Sequence, residues 1–153
     1  MIKIRRATIR DLYLIRNFNQ ELFNDSKRFD KILNLRRPDK NLKYYGSKIK
    51  GKNSVAFISE VRDKPVGYLI GSIAKVESYR TFKKMAEAEN MFILSEYRKK
   101  EIGKKLMQAF IAWAKSKKVK NIKVSIYEKN DSSINFHKKM GFSDYFKTME
   151  AKI

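Results

Sequence analysis

The segment over residues 85–118 limits the possible folds of this chain more than any other. "MAEAENMFIL", residues 85–94, predicts a strand, although its Ala and Glu residues are weak strand formers. A short basic loop follows, and apolar residues at helical spacing then predict a helix over residues 102–118. Its apolar face consists of Ile102, Leu106, Ala109, Phe110, Trp113 and Ala114. A strand, a short loop and an amphipathic helix in this order are typical of an α/β domain.

The N-terminal third predicts a strand, a helix and a less regular segment. Alternation over residues 2–8 predicts the strand, and Thr8 or Asp11 is expected to cap the helix over residues 11–23. The residues expected to face inward are Leu12, Ile15, Phe18, Leu22 and Phe23. The pattern then loosens, and we expect a short second helix over residues 29–35 that stops before Pro38.

The remaining segments complete an alternating order of elements. Residues 54–61 and 66–73 predict two strands joined by the hairpin "RDKP". Residues 121–127 predict a strand, residues 131–140 a helix closed by Gly141, and residues 143–153 one or two last strands. The predicted order is β-α-α-β-β-β-α-β-α-β. The chain is therefore expected to be one α/β domain, residues 1–153, with a mixed sheet.

Composition excludes several classes of site. The chain has no cysteine and one histidine, which excludes disulfides, thiolate nucleophiles, cysteine-based zinc sites and a His-rich metal centre. We therefore expect no metal. No segment approaches the length and hydrophobicity of a membrane span, so we expect no membrane partner and a cytoplasmic location.

The charge is strongly unbalanced. Lys and Arg number 36 against 16 Asp and Glu, a formal net charge of +20. Such an excess favours a polyanionic partner, which could be nucleic acid, an acidic protein or a small phosphorylated ligand. The alternative is that lysines simply cover solvated faces, and their spread along the whole chain favours this alternative.

The basic loop before the predicted helix at residue 102 is a candidate anion site. The first N–H groups of a helix lack intrahelical partners and point outward, where they can bind phosphate. Gly103 allows a ligand or backbone to approach, while Arg98, Lys99, Lys100, Lys104 and Lys105 add positive charge. A pyrophosphate fits this pattern. Lysines on a solvated surface would produce the same sequence.

Two motifs resemble the GNAT superfamily of acetyl-CoA-dependent N-acetyltransferases. "RKKEIG", residues 98–103, matches the family signature R/Q-x-x-G-x-G/A at its first and last positions, and "NDSSINFHKKMGF", residues 130–142, is similar to the segment N-x-x-A-x-x-F-Y-x-x-x-G-F. The resemblance implies a single-domain fold with a mixed, mostly antiparallel sheet of about six to seven strands, splayed in the middle and flanked by about four helices. It also implies acetyl-CoA as co-substrate.

The resemblance further implies which residues hold acetyl-CoA. Main-chain groups of Met91, Phe92 and Ile93 would bind the pantetheine arm, and Asn130, with Ser133 and Phe136 on the following helix, would contact it from the other side. The residues implied to hold the pyrophosphate are Arg98, Lys99, Lys100, Glu101, Ile102, Gly103 and Lys104.

Two candidate catalytic residues also come from the resemblance. Glu89 matches the position of a general base in part of the family, and the alternative is a strand carboxylate in a charge pair. His137 stands where the family has a tyrosine that protonates the departing thiolate. Histidine could act there as acid or assist as a base, or it could be an ordinary helix residue.

The chain departs from the family pattern at two positions. Glu101 replaces the first glycine of the signature; we expect helical geometry there not to require glycine, so acetyl-CoA binding should be weaker instead of lost. Ser125 stands where the branch that acetylates ribosomal-protein N-termini often has glutamate, which disfavours that substrate class.

The acceptor is therefore expected to be a primary amine on a small molecule, a polyamine or a peptide. A CoA-binding protein without catalysis and a basic nucleic-acid-binding module remain alternatives, the latter because Lys, Arg and aromatic residues interleave in residues 35–52. Family members often dimerise through their last strands, so a homodimer is also expected.

Overall fold

Five strands form one sheet, with helices on both of its faces. The computed structural model describes residues 1–33 and 41–153. The strands are β1 (Ile2–Arg6), β2 (Ser54–Val61), β3 (Lys64–Lys75), β4 (Lys84–Ile93) and β5 (Ile122–Val124), and the helices are α1 (Leu12–Ser26), α2 (Leu42–Lys50), α3 (Ile102–Ser116) and α4 (Asp131–Lys139). The sheet order is β1-β2-β3-β4-β5. The first three pairings are antiparallel and β4–β5 is parallel, which confirms the predicted mixed, mostly antiparallel α/β fold.

The central strands β2 and β3 carry apolar residues at consecutive positions because both faces of the sheet are covered. On one face, Val55 and Phe57 of β2 join a core that includes the buried face of α3. On the other face, Ala56 and Ile58 pack with α1 and α2. Since successive strand residues point to opposite faces, a sheet between two helical layers needs apolar residues at consecutive positions. The predicted inward face of α3 is confirmed: Leu106 and Phe110 are fully buried.

Strand β4 is irregular in the middle and separates from β5. Ile70 of β3 pairs with Asn90 and Gly71 pairs with Ala88, so Glu89 is the extra residue of a β-bulge. On the other side, β5 pairs with β4 only over Ala86–Ala88. The two strands therefore part just before Glu89, which confirms the predicted splay of the sheet.

The second helix is displaced from its predicted position. Residues 29–33 form turns, and the rest of the predicted span 29–35 lies outside the described residues. The helix instead covers Leu42–Lys50, where Tyr45 is buried to 2% exposure and Ile49 packs against the same core. Tyr45 and Ile49 are four residues apart, so this segment has an apolar face to bury.

The predicted C-terminal strands do not form. Residues 143–153 contain no strand, and β5 covers Ile122–Val124 instead of residues 121–127. Tyr145, Phe146 and Met149 are 70%, 83% and 84% exposed. A strand needs a partner edge and a surface to cover. Within the described residues the outer edge of β5 is open, but residues 143–153 do not pair with it and leave these side chains exposed. The prediction of six to seven strands was therefore approximate.

No helix in the described ranges has the length and apolar character needed to cross a bilayer.

The start of α1 is fixed to the sheet by a buried carboxylate. Asp11 stands at the N-cap of α1, one of the two predicted positions, but its side chain caps no N–H of that helix. It accepts the Thr8 backbone N–H at 2.8 Å, as part of a capping box around the 3₁₀ turn Ile9–Asp11 that precedes α1. Both of its oxygens also accept from the Arg5 guanidinium at 2.9 Å, and Arg5 donates to Glu60 at 2.7 Å. The hydrogen bonds from Arg5 hold the pKa of Asp11 below its usual value, against the opposing effect of burial. The carboxylate thus links β1, β2 and α1.

We expect Asp11→Asn to lower the free energy of unfolding by about 2 kcal/mol, because the variant removes the charge from a buried, hydrogen-bonded pair. Since the native pKa of Asp11 is depressed, its contribution is present above pH about 4 and is lost as the pH falls further. Urea denaturation of both proteins at pH 7 and pH 3 measures this. Asp144→Asn, whose side chain is 87% exposed, is the control and should change little. Equal free energies of unfolding for wild type and Asp11→Asn at pH 7 would show that the Asp11 carboxylate does not stabilise the fold.

Candidate active site where strands β4 and β5 separate

Glu89, the bulged residue of β4, is hydrogen-bonded on both of its carboxylate oxygens. Lys48 of α2 lies 2.6 Å from Oε1. The Ser72 hydroxyl of β3 donates to the same oxygen, and the Tyr44 hydroxyl of α2 donates to Oε2. A bulge redirects a side chain without interrupting the strand. Here it directs Glu89 toward α2, while Ala88 and Met91 both pack on the opposite core.

These contacts decide the charge of Glu89. Partial burial by itself raises the pKa of the carboxyl, but the hydrogen bonds from Lys48, Ser72 and Tyr44 outweigh it and hold the pKa below its usual value. Burial and the neighbouring carboxylate raise the pKa of Tyr44. The pair is therefore a carboxylate and a neutral phenol at neutral pH, with the phenol as donor.

The sequence did not identify the partners of Glu89. The charge pair that was the alternative for Glu89 is present, and its cation is Lys48. Tyr44 and Lys48 are four residues apart on one helix, so they share a face. That spacing was visible in the sequence, but the helix was predicted too early in the chain to use it.

The basic loop between β4 and α3 carries unusual backbone geometry. Lys99 and Glu101 have positive φ values of 58° and 65°, and Glu101 is the left-handed residue that precedes α3. Left-handed residues in a short loop favour concave sets of N–H groups that bind anions. The expectation of helical geometry at residue 101 was wrong, because Glu101 is left-handed, a conformation that favours glycine although glutamate occupies it here.

The side chain of Glu101 points to solvent and pairs with a lysine. Its carboxylate lies 3.1 Å from Lys104 and is 67% exposed. The predicted offset of this charge by a flanking lysine is therefore present.

Gly103, in the first turn of α3, is packed closely by two other elements. A Cβ on this residue would lie 3.3 Å from Ile93 of β4 and 3.4 Å from the ring of Phe136 of α4. The glycine thus lets α3 approach the end of β4 and the face of α4. Residues from both sequence motifs meet at this point.

Arg98 connects the loop to two elements of the first half of the chain. Its Nε donates to the Ile93 carbonyl at 2.8 Å, and its Nη2 lies 2.5 Å from Asp25 at the end of α1. The guanidinium also lies 5.3 Å from the ring centre of Phe92. The carbonyl of Ile93, predicted to face a pantetheine arm, therefore already accepts a hydrogen bond within the protein.

Helix α4 holds the other predicted residues. The Asn130 side-chain oxygen accepts the Ser133 N–H at 3.2 Å and caps the helix. His137 is 6% exposed, lies edge-on to Phe136 and Phe142, and its Nδ1 is 2.8 Å from the Ser133 carbonyl. That carbonyl can only accept, so Nδ1 carries the proton.

Burial lowers the pKa of His137, and the hydrogen bond to the Ser133 carbonyl only partly opposes this effect. The neutral imidazole is therefore favoured at neutral pH. An acid role for His137 requires the charged form to appear during the reaction.

An open cleft of about 400 Å³ adjoins Glu89. Lys48 and Ser72, which both contact the carboxylate, line it together with Ser47, Lys52 and Asn53. The cleft lies between α2 and the β2–β3 side of the sheet, and Glu89 itself does not line it. Within residues 1–33 and 41–153, no group of three or more His, Cys, Asp or Glu side chains is arranged to bind a metal ion.

The comparison with known families identifies the class of protein. Residues 14–142 match the sequence model of the acetyltransferase (GNAT) family. The match spans both motifs and the strands and helices between them. The chain therefore belongs to the GNAT family of acetyltransferases, and the resemblance found in the two motifs is confirmed.

Solved structures share this fold over nearly the whole chain. A tetramutant of the BH1408 protein from Bacillus halodurans is 20% identical, with a TM-score of 0.86 over 99% of both chains. A predicted acetyltransferase from Clostridium acetobutylicum, solved with acetyl-CoA, is 18% identical, with a TM-score of 0.83 over 99% of this chain and 96% of that chain. The aminoglycoside N-acetyltransferase AAC(6')-Iy, solved with CoA, is 17% identical, with a TM-score of 0.82 over 100% of this chain and 95% of that chain.

Proposed function

We propose that residues 1–153 form one N-acetyltransferase domain that moves an acetyl group from acetyl-CoA to a primary amine by direct attack in a ternary complex. The observation that carries the proposal is Glu89, an ionised carboxylate at a bulge, beside the point where β4 and β5 separate. The separation leaves one edge of β4 open to a cofactor. The carboxylate on the side of α2 suits an ammonium group.

The proposed acetyl-CoA site follows the open edge of β4 to the start of α3. Met91 and neighbouring main-chain groups would receive the pantetheine arm, and the loop from Arg98 to Lys104 would receive the pyrophosphate. Two left-handed residues, the first turn of α3 and the surrounding lysines support an anion at this point. The neighbours solved with CoA or acetyl-CoA support the same co-substrate.

The proposed reaction uses Glu89 to bind the acceptor ammonium and to remove its proton, directly or through water. The neutral amine then attacks the thioester carbonyl, the C–N bond forms, and the C–S bond breaks to release CoA. Because the pKa of Glu89 is lowered, the carboxylate does not keep the proton and passes it to water. His137 would supply a proton to the departing thiolate after its Nε2 has taken up a proton from water, because the Nδ1 proton is held by the Ser133 carbonyl.

The acceptor class follows from the charge around the site. The cleft beside Glu89 is lined by Lys48 and Lys52, so an acceptor with an anionic or aromatic portion beside its amine fits better than a bare polycation. AAC(6')-Iy has been solved with a bisubstrate analogue that links CoA to an acetylneamine. Amines that carry an anionic or aromatic group, peptides among them, therefore form the first panel to test, and aminoglycosides and polyamines form the comparison panel.

The proposed assembly is a homodimer that pairs through residues 143–153. Their exposed aromatic residues and the position of β5 at the end of the sheet support this assembly.

We expect Glu101→Gly to bind acetyl-CoA about three- to tenfold more tightly than wild type. The variant removes a carboxylate near the phosphates and, because glycine has no Cβ and adopts the left-handed conformation freely, it lets the backbone N–H groups approach them more closely. Glu101→Gln removes the charge alone and should gain less. Calorimetric titration with acetyl-CoA at two salt concentrations measures both variants, with desulfo-CoA as control ligand.

Weaker binding by Glu101→Gly than by wild type would contradict the proposed pyrophosphate site. Binding that disappears at moderate salt would favour the basic surface, and with it the nucleic-acid-binding alternative.

We expect Glu89→Gln to lower kcat for the best amine of the two panels by about 10²–10⁴-fold and to leave acetyl-CoA affinity within about threefold. The amide keeps the shape but can neither hold an ammonium nor take a proton. Release of free CoA thiol measures the rate. Glu87→Gln is the matched control on the same strand and should keep full activity, because Glu87 pairs with Lys123 away from the bulge.

Full activity of Glu89→Gln would exclude Glu89 as the base. If acetyl-CoA binds and no amine of either panel is acetylated by wild type, the non-catalytic alternative is favoured.

We expect His137→Tyr to retain most activity and His137→Phe to lose about 10²-fold in kcat, because only tyrosine keeps a proton donor at this position. Thermal unfolding of both variants must first show that the buried aromatic contacts are preserved. Equal rates for the two variants would assign His137 a packing role.

A further inference from the structure

The ammonium of Lys48 lies in a small site built for a cation. Its Nζ is 2.6 Å from Glu89 Oε1 and 3.2 Å from the Ser72 hydroxyl oxygen. The same nitrogen lies 5.2 Å from the ring centre of Tyr44. A carboxylate, a hydroxyl oxygen and an aromatic face are the three groups that bind alkylammonium ions well.

This site is the place where an acceptor amine must arrive. Glu89 can bind an ammonium and remove its proton only if the nitrogen lies within hydrogen-bond reach, and Lys48 already lies at that distance. Glu89 is next to the open edge of β4, where the thioester is proposed to lie, and Lys48 reaches this carboxylate from the side of β3, beside Ser72.

The helix that carries Lys48 holds it in position. Tyr45 is 2% exposed and anchors α2 in the core, and the Tyr44 hydroxyl also contacts Glu89. The side chain of Lys48 is 20% exposed. Lys43 and Lys50 of the same helix are exposed residues. The helix therefore presents one lysine to the site and two to solvent.

We propose that the protein acetylates its own Lys48. This inference rests on the proposed acetyl transfer and names an internal amine as an acceptor. A proton leaves the ammonium of Lys48 through Glu89 to water, and the neutral Nζ attacks the thioester carbonyl of acetyl-CoA. The C–N bond forms, the C–S bond breaks, and CoA leaves as the thiol after taking up a proton. The product is N-ε-acetyl-Lys48, which carries no charge and no longer pairs with Glu89.

The experiment follows acetylation of each lysine of α2 in the full chain. Folded protein is incubated with acetyl-CoA labelled with ¹³C in the acetyl group, and peptide mass spectrometry measures the labelled fraction over time. We expect Lys48 to be labelled at least tenfold faster than Lys43 and Lys50, at a fractional rate independent of protein concentration. Glu89→Gln should bring Lys48 to the rate of those two lysines. Lys50→Arg should leave the rate of Lys48 unchanged.

Heat-denatured wild type supplies the intrinsic reactivity of each lysine and does not depend on any variant folding. Equal labelling of the three lysines in the folded protein, or labelling of Lys48 no faster than in the denatured chain, would overturn the inference. If the same sample binds acetyl-CoA and acetylates an added amine, only the inference fails and Lys48 is an ion-pair partner. If acetyl-CoA does not bind, the proposed function fails with it.

Discussion

The unequal pairing of β4 determines where the candidate site lies. One side of the strand pairs with β3 from end to end, whereas the other side pairs with β5 over three residues. The bulge at Glu89 falls just where the second pairing ends. Main-chain groups of β4 that β5 leaves unpaired therefore lie next to the redirected carboxylate of Glu89. Their proposed roles differ: the main-chain groups bind an extended arm, and the carboxylate binds a cation.

The helices on the two faces of the sheet reach these two groups from opposite sides. Helix α3 and its basic loop close one face, and Gly103 lets α3, β4 and α4 meet. Helix α2 closes the other face and brings Tyr44 and Lys48 to Glu89. In a chain with a net charge of +20, Glu89 is already paired with Lys48, so an acceptor ammonium proposed to bind this carboxylate would have to displace that lysine. The ion pair between Lys48 and Glu89 thus links α2 to β4 and also affects the proposed binding of an acceptor amine.

The sequence was informative wherever one strong pattern determined one element. The apolar runs of β2 and β3, the apolar face of α3 and the glycine after α4 were predicted close to their observed positions. The splay of β4 was predicted only through the family resemblance. The bulge itself was not, because register depends on pairing with β3 and leaves no local signal.

Other structural features could not be predicted from the sequence, for physical reasons. The left-handed conformation of Glu101 was missed because most residues can adopt it at a modest cost, and glutamate gives no warning of it. Helix α2 was misplaced because its apolar face is narrow, with Tyr45 as its buried residue. As a result, Lys48 was not connected to Glu89. The C-terminal strands were predicted from the local sequence, which cannot tell whether a segment will pair with an available edge.

The most direct measurement is a crystal structure of the protein with a non-hydrolysable thioether analogue of acetyl-CoA. The account predicts that the pyrophosphate lies on the N–H groups at the start of α3 and that the pantetheine arm follows the open edge of β4. It also predicts that the carbon standing for the acetyl carbonyl lies about 3–4 Å from an amine position at Glu89, now held by Lys48. An analogue bound elsewhere, or one whose acetyl end points away from Glu89, would contradict the account.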